Sequence, residues 1–285
     1  MSTVYLNGEY MPMEEARISP MDRGFLFGDG IYEVIPCYGG KTVGLAPHLN
    51  RMQDGLDAIS LGLNVDHQQW REIAERLCAD HEADNVGIYI QISRGADSRR
   101  HHAMPDNIPP TLYAFAFEIP PPPVAAKDKA PRYEVSATRD LRWQRCNIKS
   151  TSLLGNVMHY QHGHAKGYQE TLLFNENDEL TEAAACNVFV VKDGVIATPE
   201  LDHQKLPGIT RFMLIDILRK HSSLKLEERV VTKVEVMDAD EVWLTSSSKE
   251  VAPVVAIEGA PVNGGEVGDV WLQAQQLFAE HRYDY

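Results

Sequence analysis

Two rhythms of apolar residues alternate along this chain. A period of two runs through Val86-Gly87-Ile88-Tyr89-Ile90-Gln91-Ile92-Ser93 and predicts a strand. Leu49, Met52, Leu56 and Ile59 recur instead at spacings of three and four, which predicts a helix opening at Pro47. The same two patterns predict further helices at about 67–79, 152–166, from Thr210 onward and at 270–283. Strands are expected at 4–6, 31–38, 111–119, 133–138, 172–175, 188–191 and 241–244. Asn7-Gly8 reads as a hairpin turn. Pro120 to Pro123 can extend neither element, and with Lys127-Asp128-Lys129 behind it marks a linker. Strands and helices mix in both halves without strict βαβ alternation. The expectation is therefore an α+β fold in two domains, 1–119 and 131–285, joined by a Pro-rich linker at 120–130.

Composition narrows the functional classes. With 285 residues, 44% hydrophobic and 24% charged, the chain can bury a sizeable core. A net charge of −14 repels nucleic acid and anionic membrane surfaces, so neither is an expected partner. No apolar run approaches the roughly 20 residues that a bilayer span needs. The N-terminus lacks the basic region and apolar core of a signal peptide. Cys37, Cys78, Cys146 and Cys186 form no Cys-x-x-Cys pair, so neither zinc nor a disulfide framework is indicated and a cytoplasmic protein is expected. His159, His162 and His164 do not all share one helical face, which argues against a metal site there.

Candidate chemistry gathers between Cys146 and Thr210. Lys149, in Cys-Asn-Ile-Lys-Ser-Thr-Ser-Leu-Leu, has only apolar and small hydroxyl neighbours. An amine held out of water loses solvation and can act as a nucleophile on carbonyls. Glu182, in Thr-Glu-Ala-Ala-Ala-Cys-Asn-Val-Phe-Val-Val, lies in an apolar context that predicts a cationic partner. Composition alone equally allows a lysine at a strand end and a glutamate in a turn. Arg51, beside the first helical stripe, reads from composition as a surface arginine. The glycines of Met21 to Gly30 match neither a phosphate loop nor a dinucleotide fingerprint, and are expected to relieve backbone crowding. Arg99, Arg100, His101 and His102 form either a solvated loop or an anion site.

These residues resemble a known family. Glu182, Ala184, Asn187-Val188-Phe189, Ile196-Ala197-Thr198 and Leu206, Gly208, Ile209, Arg211 resemble the signature of class IV, fold-type IV aminotransferases. The similarity extends from Tyr5-Leu6-Asn7-Gly8 to Thr245-Ser246-Ser247-Ser248, and in pattern is greatest to the D-amino-acid aminotransferases. The resemblance implies a pyridoxal 5′-phosphate enzyme in which Lys149 binds the cofactor aldehyde and moves the α-proton. Glu182 would face the pyridine nitrogen. Gly208, Ile209 and Thr210, opening a helix, would hold the phosphate with Arg51, Ser246 and Ser247. Tyr32, Arg99 and His101 would bind the substrate carboxylate, the last two reaching in from the partner of a homodimer. The implied reaction moves the amino group of D-alanine, D-glutamate or D-aspartate to 2-oxo acids such as 2-oxoglutarate or pyruvate. Arg100 and His102 depart from the usual pattern. Within the family the alternatives are a branched-chain L-amino-acid aminotransferase, an (R)-selective amine transaminase and, third, an aminodeoxychorismate lyase.

Overall fold

The computed structural model describes residues 3–285. The backbone forms two compact units. The first takes the chain up to Pro121 and again from Ile148 to Leu153; the second takes Pro122–Asn147 and Leu154–Asp284. The chain thus first passes between them inside the expected Pro-rich stretch.

In the first unit β1 (Thr3–Leu6) and β2 (Glu9–Pro12) are joined by Asn7-Gly8, whose φ angles of 50° and 99° suit the tight hairpin expected there. After α1 (Arg23–Phe27) come β3 (Gly30–Tyr38), β4 (Lys41–Thr42), α2 (Leu45–Ala58), α3 (His67–Ala79), β5 (Asn85–Ser93) and β6 (Thr111–Glu118). The strands make one antiparallel sheet in the order β2-β1-β6-β5-β3-β4. Helix α2 starts two residues before Pro47, which the first turn tolerates because its N–H groups have no intrahelical acceptor. Asp66 caps α3 by accepting from the N–H groups of Gln68 and Gln69. The two helices bury Leu49, Met52, Leu56, Trp70, Ile73 and Leu77 with the isoleucines of β3 and β5. Rings of Tyr32, Tyr89, Phe115 and Phe117 adjoin one another in a chain across β3, β5 and β6.

Helix α1 was not expected, and it confirms the crowding read into its glycines. Gly28 closes it in the left-handed conformation at φ 65°, and a Cβ there would collide with Ser152. The Lys149 segment, expected with the C-terminal domain, instead groups with the first unit. Its backbone explains why: Ser150 bridges Ile31, Tyr32 N–H donates to the Lys149 carbonyl at 3.0 Å, and Thr151 N–H to that of Gly30 at 2.9 Å.

The second unit contains β7 (Tyr133–Arg139), α4 (Leu154–His164), β8 (Glu170–Phe174), β9 (Leu180–Ala183), β10 (Asn187–Lys192), β11 (Val195–Thr198), α5 (Ile209–His221) and β12 (Lys225–Glu228). It ends with α6 (Lys233–Met237), β13 (Glu241–Ser246), β14 (Glu250–Ile257), β15 (Ala260–Pro261) and α7 (Asp269–His281). Its mixed sheet runs β12-β11-β10-β13-β14-β7-β8-β9, with β15 added at β14. One core cluster joins Val188, Val190, Val242, Leu244 and Val254. Trp243, Trp271 and Phe278 are also fully buried. Gly268 offers α7 no capping side chain, and Glu241 takes its place, accepting from the N–H groups of Val270 and Trp271 at 3.0 and 2.8 Å. Among the described residues no helix is long and apolar enough to cross a membrane.

Candidate active site

In the first unit, the expected residues lie around the start of β3. Lys149 is half-buried, and its Nζ stands 4.0 Å from the centre of the Tyr32 ring. Tyr32 stacks in turn on Tyr89, 5.6 Å away. Strand alternation sends Glu33 to the opposite face from Tyr32, the face of Ile31 and Ile35, where its side chain is fully buried. A carboxylate there needs partners, and α2 supplies two. Arg51 donates from Nε and Nη2 to the two Glu33 oxygens at 2.8 and 2.7 Å, while His48 Nδ1 lies 2.6 Å from Oε2. Burial pushes the Glu33 carboxyl up, but Arg51 and His48 outweigh it and hold it at about 2. Burial lowers His48, keeping its imidazole toward the neutral form. Arg51 is therefore buried rather than at the surface, and its charge is balanced by Glu33. Nothing in the sequence pattern singled out Glu33 or His48. The available signal was an acid at an inward position of a period-two strand, with His48 and Arg51 three apart on the facing helix.

Arg99 and His101 lie on the exposed loop between β5 and β6. The carbonyls of His101, His102 and Ala103 accept from Arg23, a buried residue of α1.

In the second unit, Glu182 sits on β9, in a strand rather than a turn, and is 5% exposed. Its expected cation is Arg142. Nη1 of Arg142 donates to Glu182 Oε1, while Nε and Nη2 fork onto Asp140 at 3.0 and 2.7 Å. The other Glu182 oxygen accepts from Asn187 Nδ2 at 3.1 Å and from Leu206 N–H at 3.0 Å. Burial raises the Glu182 carboxyl above its usual range, against the pull of Arg142 and the Leu206 amide. Burial opposes the Arg142 charge, yet Asp140 and Glu182 raise its pKa above the ordinary value. His159 does not add charge: burial lowers it, and its Nε2 accepts the Leu141 N–H at 3.0 Å. Two carboxyl groups thus share one guanidinium, and among the described residues no second cation pairs with Glu182 in this buried place. Asp140 and Arg142 were missed because their pairing with Glu182 spans some forty residues of sequence with no local pattern.

Asn187 ties this carboxylate to the start of α5. Its Nδ2 also donates to the Leu206 carbonyl at 2.9 Å, and a Cβ on Gly208 would collide with its Oδ1. Gly208 is the N-cap of α5 and provides no side-chain cap, so the first turn presents backbone donors and the positive end of the helix dipole. Pairing of β10 with β13 sets Asn187 directly opposite Thr245. The Thr245 hydroxyl is buried and has no hydrogen-bond partner among the described residues; the Ser246 hydroxyl, next in line and also buried, lies beside the Cys186 thiol, and Ser247 follows in the turn. A buried hydroxyl is rarely left without a partner. Glu182, Gly208 to Thr210 and Ser246 therefore adjoin one end of the same sheet. They offer an anion at one point and a cluster of anion-binding donors at another.

Comparison with known proteins identifies the family. Residues 30–257 match the family amino-transferase class IV. The chain is 36% identical to a D-alanine aminotransferase of Staphylococcus epidermidis over 281 residues, covering 99% of this chain and 98% of that one. It is 33% identical to a D-alanine aminotransferase of Listeria monocytogenes over 282 residues, covering 97% and 95%. Among solved structures, the branched-chain amino acid aminotransferase of Escherichia coli superposes with TM-score 0.87 at 23% identity, over 98% of this chain and 93% of that one. A T.th. branched-chain amino acid aminotransferase, solved with pyridoxamine 5′-phosphate, gives TM-score 0.89 at 22% identity over 99% and 94%. These two likenesses speak for the fold. Aminotransferases of this class use pyridoxal phosphate, and the second unit fits it. The buried carboxylate suits a protonated ring nitrogen, and the uncapped helix with the buried hydroxyls of Thr245 and Ser246 near it suits a phosphate. The chain belongs to the class IV aminotransferases and is a pyridoxal-phosphate-dependent transaminase of the two-domain, fold-type IV, α+β class.

Proposed function

We propose that this enzyme transfers the amino group of D-amino acids (D-alanine, D-glutamate and D-aspartate) to 2-oxo acids such as 2-oxoglutarate or pyruvate. The observation that carries this reading is the end-to-end likeness to D-alanine aminotransferases at 33–36% identity. A branched-chain preference is the alternative, supported by solved structures that are more distant in sequence.

Bound pyridoxal phosphate supplies an aldehyde that takes up the amino group and a ring that accepts electron density. Lys149 would hold that aldehyde between turnovers and would move the α-proton. The Tyr32 ring beside its Nζ confines the amine. Glu182, oriented by Arg142 and Asn187, would keep a proton on the ring nitrogen. The N–H groups of Gly208, Ile209 and Thr210 would hold the phosphate, with the Ser246 and Ser247 hydroxyls and Arg51. Tyr32, Arg99 and His101 would bind the substrate carboxylate.

The exposed position of Arg99 and His101 suits a role offered across a homodimer. So does α4, where Leu154, Val157 and Met158 share a face and are 73%, 57% and 66% exposed. Residence in the cytoplasm suits four free thiols, three of them buried.

Borohydride reduction of the yellow holoenzyme, followed by peptide mapping, tests the cofactor assignment. The pyridoxyl group is expected on Lys149, and Lys149→Ala should lose both the colour and multiple turnover. A label on any other lysine overturns the assignment.

A further inference from the structure

Arg100 and His102 have no place in the carboxylate site described above, yet the loop that carries them is held with unusual care. Its two feet are stapled by one carboxylate. Asp22, the N-cap of α1, accepts from Ser93 Oγ at 2.7 Å and from Thr111 Oγ1 at 2.5 Å, besides the N–H of Gly24 at 2.8 Å. The next residue, Arg23, grips the loop farther out. Its Nη1 donates to the carbonyls of His101 at 2.6 Å and Ala103 at 3.3 Å, and its Nη2 to that of His102 at 3.4 Å. Asp29 fixes Arg23 itself, accepting from its Nε at 2.7 Å and from Arg94 Nε at 2.8 Å. Arg94 donates onward to the carbonyls of Ile59 and Ser60 at the end of α2.

The ring of Phe27 then gathers the side chains that the sequence pattern left unexplained. The Arg23 guanidinium lies 4.9 Å from its centre, that of Arg100 5.0 Å, and the His102 ring 5.4 Å. Arg99 and His101 share none of these contacts. Both are exposed, and among the described residues their side chains have no hydrogen-bond or ion-pair partner.

We propose that Arg100 and His102 are positioning residues. Docked on Phe27 while Arg23 holds the backbone, they present Arg99 and His101 as a preset fork for the substrate carboxylate. The proposal rests on the reading of Arg99 and His101 as carboxylate ligands. A loop carrying two arginines and two histidines in a row would otherwise sample many arrangements, and ordering it only when substrate binds would cost affinity. Fixing every second side chain on an aromatic ring leaves the other two to act together. The clamp therefore sets selection for donors that carry a carboxylate, and has no bearing on donors without one.

The test uses holoenzyme of wild type, Phe27→Ala, Phe27→Tyr, Arg100→Ala and Arg99→Ala. Steady-state kinetics are measured with D-alanine and with (R)-1-phenylethylamine, which lacks a carboxylate. Limited trypsin digestion after Arg99 reports loop release independently of substrate. Phe27→Ala should raise KM for D-alanine by about five- to tenfold, as expected for losing two cation–aromatic contacts, one to buried Arg23 and one to exposed Arg100. Its kcat should stay within about twofold and (R)-1-phenylethylamine use should be unchanged. The loop should be cut faster, and Phe27→Tyr should restore wild-type behaviour. Arg100→Ala, a change at an exposed residue, should raise the same KM by a smaller factor. Faster cleavage with unchanged KM, in an enzyme whose Arg99→Ala variant loses D-alanine use selectively, overturns the clamp's role in specificity alone. An Arg99→Ala variant impaired equally with both donors overturns the carboxylate reading and the proposal with it.

Discussion

Glu182 has three donors and shares its one guanidinium with Asp140, and that sharing is what makes it suitable as the partner of a ring nitrogen. Glu182→Gln keeps the shape and removes the charge. A well-placed electrostatic partner contributes on the order of 3 kcal/mol in the transition state, so α-proton removal should slow about a hundredfold. Cofactor affinity, held mainly at the phosphate, should change far less. Stopped-flow rates with D-alanine and titration of apoprotein with pyridoxal phosphate separate the two, and unchanged turnover would remove Glu182 from the mechanism. Glu33 makes a prediction about acid. Its folded pKa of about 2 lies below the ordinary 4.5, so its ion pair with Arg51 contributes stability that is fully present above about 4.5 and is lost as pH falls toward 2. Glu33→Gln should flatten that limb of the stability curve, measured by urea unfolding between those pH values. Lys149 and Glu182 could be singled out as candidates only through the spacing of their neighbours. Arg142, Asp140, Glu33 and His48 were not, because each is defined by a partner in another element.

Strand β14 shows why element reading failed where it did. Pro253 stands inside it, opposite Trp243, and a proline in an interior strand masks the pattern. Helix α1 is only five residues long and closed by Gly28, too short for periodicity to register. Strands β9 and β11 hold four residues each, buried throughout or nearly so, and gave no alternation to read. The long elements were recovered within about two residues, since α2, α3, α5 and α7 carry apolar faces wide enough to fix their extent. At this scale the most informative change is Gly208→Ala. An added methyl would push on Asn187, which orients Glu182, at the same position that opens α5. Overpacking of this kind costs roughly 1 to 3 kcal/mol. Weaker pyridoxal phosphate binding and a lower Tm are expected together. A variant that keeps both would show that the close approach of Gly208 to Asn187 does not matter.

At the level of the whole chain, the two-unit α+β architecture and the class of chemistry were accessible from sequence. The grouping of Lys149 with the first unit was not, because it depends on a β-bridge to a strand more than a hundred residues earlier. Substrate handedness is the farthest step from local physics. It depends on which side of the cofactor receives the carboxylate, and on the proposed reading Arg99 and His101 would supply that anchor from an exposed loop rather than from the sheet that carries the serine turn. The most direct test is a donor comparison on one preparation of holoenzyme with 2-oxoglutarate as acceptor, using both enantiomers of alanine, glutamate and leucine. D-alanine and D-glutamate should be turned over at least about tenfold faster than any L-enantiomer, in keeping with a charge-assisted contact made by one hand only. A preference for L-leucine over D-alanine would contradict the account.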